Sequence, residues 1–278
     1  MLTLAYLPVV AFVIVVAFEL FWPRRTDARG DVHRWLSNIA LYIINKLGSR
    51  GIYLLLIAVG MEINEAQSAT DDGLLKATSI TLAVLVLFDI LDYAKHVLLH
   101  RVPFLWRFHQ VHHSDSKLDF TSQFRFHPFE MLLAMTLDVS FILLLDIPVY
   151  AITAVALIGS TWGMFQHANT HALKGLDRYA RLLLVTPNLH HIHHYTDAAA
   201  ANKNFGVMFS VWDRLFDSYL SPKSLIGDTP QYGVVGLNER GNLNPFALLT
   251  LPFQASNTVT QVGLDQDQTP IKSLKEES

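Results

Sequence analysis

The chain of 278 residues contains no cysteine, which excludes disulfides, thiolate metal sites and iron–sulfur clusters built from its own side chains. Charge is scarce too. Lys, Arg, Asp and Glu make up 16% of the residues, against roughly a quarter in soluble domains. The net charge of −3 comes without any basic, aromatic-laced patch of the kind that binds nucleic acid, so no nucleic-acid partner is expected. Signatures of resident redox cofactors are also missing: no G-x-G-x-x-G turn, no flavin signature, no His-Pro-Gly-Gly haem motif. There is no H-E-x-x-H or E-x-x-H pair, which argues against a zincin protease and a four-helix di-iron carboxylate site. Strand-like alternation is rare.

The missing charge has been drained from particular stretches. Leu2 to Trp22 is apolar apart from Thr3 and Glu19, Leu36 to Met61 carries only Lys46, Arg50 and a few polar groups, and Ala77 to Phe88 continues uncharged. A membrane span needs about 20 such residues. Pro128 to Leu145 and Pro148 to Phe165 form two further apolar runs separated by Asp146 and Ile147, which predicts a tight helical hairpin, its first arm carrying Glu130 and Asp138. The first run lacks a basic leader and a small-residue cleavage site, so it reads as a retained anchor.

Arg24, Arg25, Arg29 and Arg34 follow the first run, whereas the next connection holds Glu62, Glu65, Asp71 and Asp72. The positive-inside rule then makes the first loop cytoplasmic and the second external. The expected fold is all-α and integral to the membrane, with about three spans plus the hairpin, and a cytoplasmic helical cap carrying a histidine-rich dimetal site. The expected divisions are N-terminal membrane helices at 1–80, a catalytic unit at 81–222 and a cytoplasmic tail at 223–278. In the cap, Arg101 to His113 reads as an interfacial helix with its aromatic rings in lipid, and Arg178 to Val185 and Phe205 to Leu220 have similar character.

Ten of the thirteen histidines fall into four groups: His96 and His100; His109, His112 and His113; His167 and His171; His190, His193 and His194. Residues at i, i+3 and i+4 share a helix face, so each group aims its imidazoles at one point, and neutral imidazole is the commonest metal ligand. So many imidazoles would repel one another on protonation unless a metal held them neutral. Two metal ions are expected. An all-imidazole site accepts iron, zinc or copper by affinity alone, so the chemistry stays open among O2 activation, a zinc-dependent lipid hydrolase and a metal carrier. A site at the bilayer edge, ringed by aromatics, suits O2 activation against a lipid.

Around the groups, Asp92 lies one turn before His96 and is a candidate to hold that ring, with Asn169 and Asn188 as further candidates. His127 precedes Pro128 and suits capping or an orienting hydrogen bond. His191 points about 100° away from its ligand neighbour and suits a supporting or substrate-facing role.

The run Asp92-Tyr93-x-x-His96-x-x-x-His100, Leu105-Trp106-Arg107-x-His109-x-x-His112-His113-Ser114, His167-x-x-x-His171 and Thr186-Pro187-x-x-His190-x-x-His193-His194, closed by Asn204-Phe205-Gly206 and Trp212-Asp213-Arg214-Leu215-Phe216, resembles the sterol desaturase and fatty acid hydroxylase family of membrane di-iron oxygenases. The resemblance implies O2-dependent hydroxylation or desaturation of a lipid. It also implies two iron ions, with zinc as a possible substitute, held by the ten boxed histidines. Electrons would come from a separate donor, a ferredoxin or a cytochrome of the b5 type.

Overall fold

Helices carry every apolar stretch. The computed structural model describes residues 2–26, 31–58, 73–171, 174–222, 231–237 and 244–254. The long helices are α1 (Leu2–Phe21), α2 (Val32–Ala58), α3 (Leu74–Arg101), α5 (Pro128–Leu144) and α6 (Val149–His167). Shorter ones are α4 (Pro103–His113), α7 (Lys174–Ala180), α8 (Pro187–His193), α9 (Ala198–Ala201), α10 (Val211–Leu215) and α11 (Pro245–Thr250). Among the described residues there is no strand, only isolated bridges such as Pro23 with Thr170 and Leu184 with Phe209. The acidic connection expected outside, Glu62 to Asp72, and the tail from Gln261 lie outside the described residues.

By length and apolarity, α3 and α6 can each cross a membrane. Large apolar side chains stay exposed along the long helices, among them Val13, Leu36, Ile43, Leu47, Leu82, Val86, Leu132 and Val149. An apolar exterior on this scale needs lipid or a partner to cover it. The helix α2 shows the inversion most clearly. It starts at Val32, four residues before the apolar run does, and buries Arg34, Asn38 and Leu41 at i, i+4 and i+7 while exposing Leu36, Ile39, Ile43 and Leu47. The 3.6-residue period is intact, with polar groups on the inward face.

That face is anchored by charge. Arg34 donates to Asp115 at 2.8 Å and to Asp119, Asn38 donates to the Thr121 hydroxyl at 2.9 Å, and Arg125 donates to the Asn38 side chain at 3.2 Å and the Ser114 hydroxyl at 2.9 Å. Asp119 caps the 3₁₀ turn Phe120–Phe124, which packs between α2 and α6. The first arginine cluster is therefore partly interior structure: Arg34 is buried, not a loop charge.

The two arms of the hairpin pack on different partners, α5 on α2 and α6 on α3 and α1. They straddle α3, where Val84 and Phe88 meet Phe141, Ile147 and Ala151, and Lys95 reaches Asp138 at 2.6 Å. The expected boundary at 80/81 falls inside the continuous helix α3. Past residue 222, Tyr232, Val234, Leu237, Leu248 and Leu251 are buried, and most of them join Leu41, Trp106 and Val111 in one apolar cluster. Trp106 and Phe108, expected in lipid, are buried too; Val102 and Phe104 are the exposed apolar residues of that segment.

Candidate metal centre

Four chain elements converge at one end of the long helices: the last turn of α3, all of α4, the last turn of α6, and α8. They bring nine histidines into two groups. His96, His100, His109, His113 and His193 form one, and His112, His167, His190 and His194 the other; within each group the candidate ligand nitrogens lie within 4.8 Å of one another. All nine are buried. The i, i+4 pair of α3 and the i, i+3, i+4 triplets of α4 and α8 make this convergence possible, because each keeps its rings on one face.

Hydrogen bonds fix which nitrogen faces inward. The Nδ1–H of His96 donates to the Phe205 carbonyl at 2.8 Å, that of His193 to the Lys203 carbonyl at 2.8 Å, and that of His167 to the Gly163 carbonyl at 2.7 Å. His109 directs Nδ1 at the Glu130 carboxylate, 2.8 Å away. A carbonyl only accepts, so the first three rings carry their proton at Nδ1 and present a lone pair at Nε2. The Nε2 atoms of His96, His109 and His193 are buried with no hydrogen-bond partner, an arrangement that costs free energy unless something else binds them.

Elsewhere, imidazole nitrogens face each other. Nε2 of His167 is 2.9 Å from Nε2 of His190 and 3.2 Å from that of His112; His190 and His194 approach to 3.1 Å, as do His100 and His113. Two nitrogens bound at right angles about 2.1 Å from one ion would lie about 3 Å apart. Burial, then neighbouring imidazoles, push His112, His113, His190 and His194 well below the ordinary histidine range, and burial takes His193 to about 3. The rings are thus neutral at pH 7, as ligation requires. Orphaned inward nitrogens, neutral rings and an all-nitrogen donor set fit a pair of transition-metal ions.

His171 does not join either group. The helix α6 ends at His167, with Ala168 extended at φ −57°, ψ 133°, so the i+4 relation that a continuing helix would have provided is lost. His171 is exposed, and its backbone N–H is held by the Trp22 carbonyl at 3.0 Å.

The five residues named as orienting candidates make the following contacts. Asp92 pairs with Lys95 at 2.6 Å, and the His96 proton goes to Phe205. Asn169 exchanges hydrogen bonds with the backbone of Arg25, and Asn188 accepts from Arg24 at 2.7 Å, so both tie the first loop to the cap and touch no ligand ring. His127 caps α5 through the Phe129 N–H and reaches the Leu249 carbonyl. His191 reaches the His167 carbonyl at 3.1 Å and the Tyr232 hydroxyl at 3.2 Å, which supports the backbone of a clustered histidine.

Sequence reasoning missed the partners that do the orienting. Glu130 stood out only as a charge in an apolar run; in the fold it backs His109 and is 5% exposed, with its second oxygen unpartnered. Asp213 accepts from the Phe205 and Gly206 N–H groups at 2.7 and 2.9 Å, which aims the Phe205 carbonyl at His96. The turn needs Asn204 at φ 56°, a left-handed conformation that Asn tolerates, and a Cβ on Gly206 would lie 2.7 Å from the Asp213 carboxylate. Asp89 accepts from the Met208 and Phe209 N–H groups and from Trp212 Nε1, closing the same segment onto α3.

Residues 81–218 match the fatty acid hydroxylase family. Ornithine lipid hydroxylase OlsE of Rhizobium tropici is 29% identical over 180 residues, 64% of this chain and 52% of that protein. Alkylglycerol monooxygenase of Caenorhabditis elegans is 26% identical over 169 residues, 60% of this chain and 31% of that protein. Cholesterol 25-hydroxylase of Mus musculus is 30% identical over 163 residues, 55% of this chain and 51% of that protein. The chain thus spans about half or less of the length of these curated relatives. No solved structure matches it. With the histidine motifs of α3, α4, α6 and α8 all inside the matched segment, this chain belongs, through residues 81–218, to the fatty acid hydroxylase family.

Proposed function

We propose that the chain is a membrane-embedded, O2-dependent di-iron enzyme that hydroxylates, or desaturates, a C–H bond of a lipid. The observation that carries this reading is the pair of buried all-imidazole groups at the ends of membrane-length helices. Three relatives named as lipid hydroxylases or monooxygenases support it. Two bound iron ions would supply the redox chemistry that activates O2, which zinc cannot supply.

The residues present would do the rest. His96, His100, His109, His113 and His193 would hold one ion, and His112, His167, His190 and His194 the other. Glu130 and the carbonyls of Phe205, Lys203 and Gly163 keep four of these rings in one tautomer and orientation. Trp106, 5.0 Å from His100 between ring centres, Phe205, 5.2 Å from His100, and Phe126, stacked 4.3 Å from His112, wall the groups with apolar surface and exclude water. No carboxylate lies within either group among the described residues, so no general base for hydrolysis is in place there.

Electrons would come from a separate protein, a ferredoxin or a cytochrome of the b5 type, at the exposed face of the cap. The positive-inside rule supports a cytoplasmic setting for that face, since Arg24, Arg25, Arg107, Lys174, Arg178 and Arg214 belong to the cap and the loops packed on it at the histidine end. Growth of the host under ¹⁸O2, with and without the gene, tests the reaction. A gene-dependent lipid carrying ¹⁸O, or an O2-dependent new double bond, is expected. Gene-dependent lipid changes that persist under strict anaerobiosis would instead assign a zinc-dependent hydrolase.

A further inference from the structure

A cavity of about 390 Å³ lies on the side of α6 away from the histidine groups, within the size range of small-molecule pockets. Its walls are apolar side chains of three helices, including Ile14 and Phe18 of α1, Trp162 and Phe165 of α6, and Leu176 of α7. Trp162 and Phe165 point into it, whereas Gly163 and His167 on the opposite face of α6 serve the metal centre. From Phe18 down to Ala11 the cavity follows seven residues of α1, roughly 10 Å along the axis. Its shape is a slot rather than a bowl.

The slot is polar at the cap end. His171, Lys174 and Asn188 line it there, and Arg24 is fixed beside Asn188 by a hydrogen bond of 2.7 Å. The one carboxylate in the lining, Asp177, is already engaged by the Thr186 hydroxyl at 2.6 Å and by Arg181 at 3.2 Å. The His171 ring and the Lys174 ammonium have no side-chain partner among the described residues. Ile14 and Leu176, both in the lining, are 47% and 60% exposed, so the slot opens sideways where α6 would face the bilayer.

We propose that this slot holds one acyl chain of an anionic phospholipid from the surrounding bilayer, with its phosphate at His171, Lys174 and Arg24. The apolar walls match the chain, the cationic mouth matches the phosphate, and the lateral opening gives a route from the membrane. The motif histidine that leaves the metal groups thereby acquires a binding role. The proposal rests on the membrane placement above and not on the metal chemistry.

The test uses the full chain in vesicles containing phosphatidylglycerol whose acyl chain carries a photoreactive diazirine, with metal content measured on the same samples. Crosslinks are expected in peptides covering residues 11–18 and 161–165. They should fall about fivefold in Lys174→Gln, as loss of a basic side chain at an anionic surface predicts, persist in Lys174→Arg, and fall in Ala11→Trp, which fills the slot. All three variants should keep the wild-type metal content. Equal labelling from photoreactive phosphatidylcholine, labelling spread evenly over all lipid-facing helices, or stronger competition by free fatty acid than by phosphatidylglycerol would each overturn the assignment.

Discussion

The Glu130 carboxylate lies 2.8 Å from Nδ1 of His109, and both side chains are buried. Among the described residues, the other oriented rings lean on neutral carbonyls, so the five-histidine group has an anionic partner that the four-histidine group lacks. A carboxylate behind a ligand imidazole raises its basicity and fixes its tautomer. Glu130→Gln should therefore weaken metal binding at the five-histidine group by about 10- to 100-fold, while the other group keeps its affinity. Metal titration of the apo-protein measures both steps.

His171 and His193 should behave oppositely on truncation. His193→Ala removes a buried nitrogen of the five-histidine group and should cost that ion; His171→Ala, at an exposed position outside both groups, should leave metal content at the wild-type level. Elemental analysis of the purified variants checks it, and loss of metal in His171→Ala would restore the ten-ligand reading.

Arg34 ties α2 to the loop that follows the α4 histidines, through Asp115 and Asp119. Removing one partner leaves uncompensated buried charge, so Arg34→Ala should destabilise the protein by about 3–5 kcal/mol, read as a lowered unfolding midpoint in detergent. Within that network Asp115 sets an acid limit, whereas burial holds the Asp119 carboxyl above its ordinary range. Burial pushes the Asp115 carboxyl up, but Arg34 and Arg125 outweigh it and hold the group below its ordinary range. A depressed carboxyl stabilises the fold above its unfolded value, roughly 3.9, and that stability is lost as pH falls through the folded value. Acid unfolding should thus set in below about pH 4.

The absence of cysteine makes topology directly measurable. Lys117→Cys and Ser221→Cys, both at the histidine end, should react with an impermeant reagent from the same side. Leu145→Cys, exposed at the turn between α5 and α6, should react from the other. Labelling of Lys117→Cys and Ser221→Cys from opposite sides would contradict the placement.

Much of this architecture was legible because helical period and apolar length are local signals. The i, i+4 relation of His96 and His100 and the triplets of α4 and α8 translate directly into shared faces. The same rule failed for His171 because it presumes a helix that continues, and α6 stops at His167. Asp92 was misread for a related reason: one turn from His96 it shares a face, yet Lys95 is nearer and opposite in charge, and the Phe205 carbonyl arrives from over a hundred residues away. Arg34 likewise depends on partners far along the chain, and Glu130 and Asp213 on partners that intervening turns bring back, neither of which helical spacing encodes. Faint signals existed: a carboxylate two residues after His-Pro, and the polar stripe Arg34, Asn38 and Asn45 on a largely apolar helix.

The most direct test of the central claim is the number of iron ions bound per chain in protein purified from iron-supplied cells, alongside His193→Ala and His190→Ala. The two-group centre predicts two irons per chain in the wild type, with each variant losing the ion of its own group, so that about half the iron remains in each. A single iron in the wild type, or full occupancy in both variants, would contradict it.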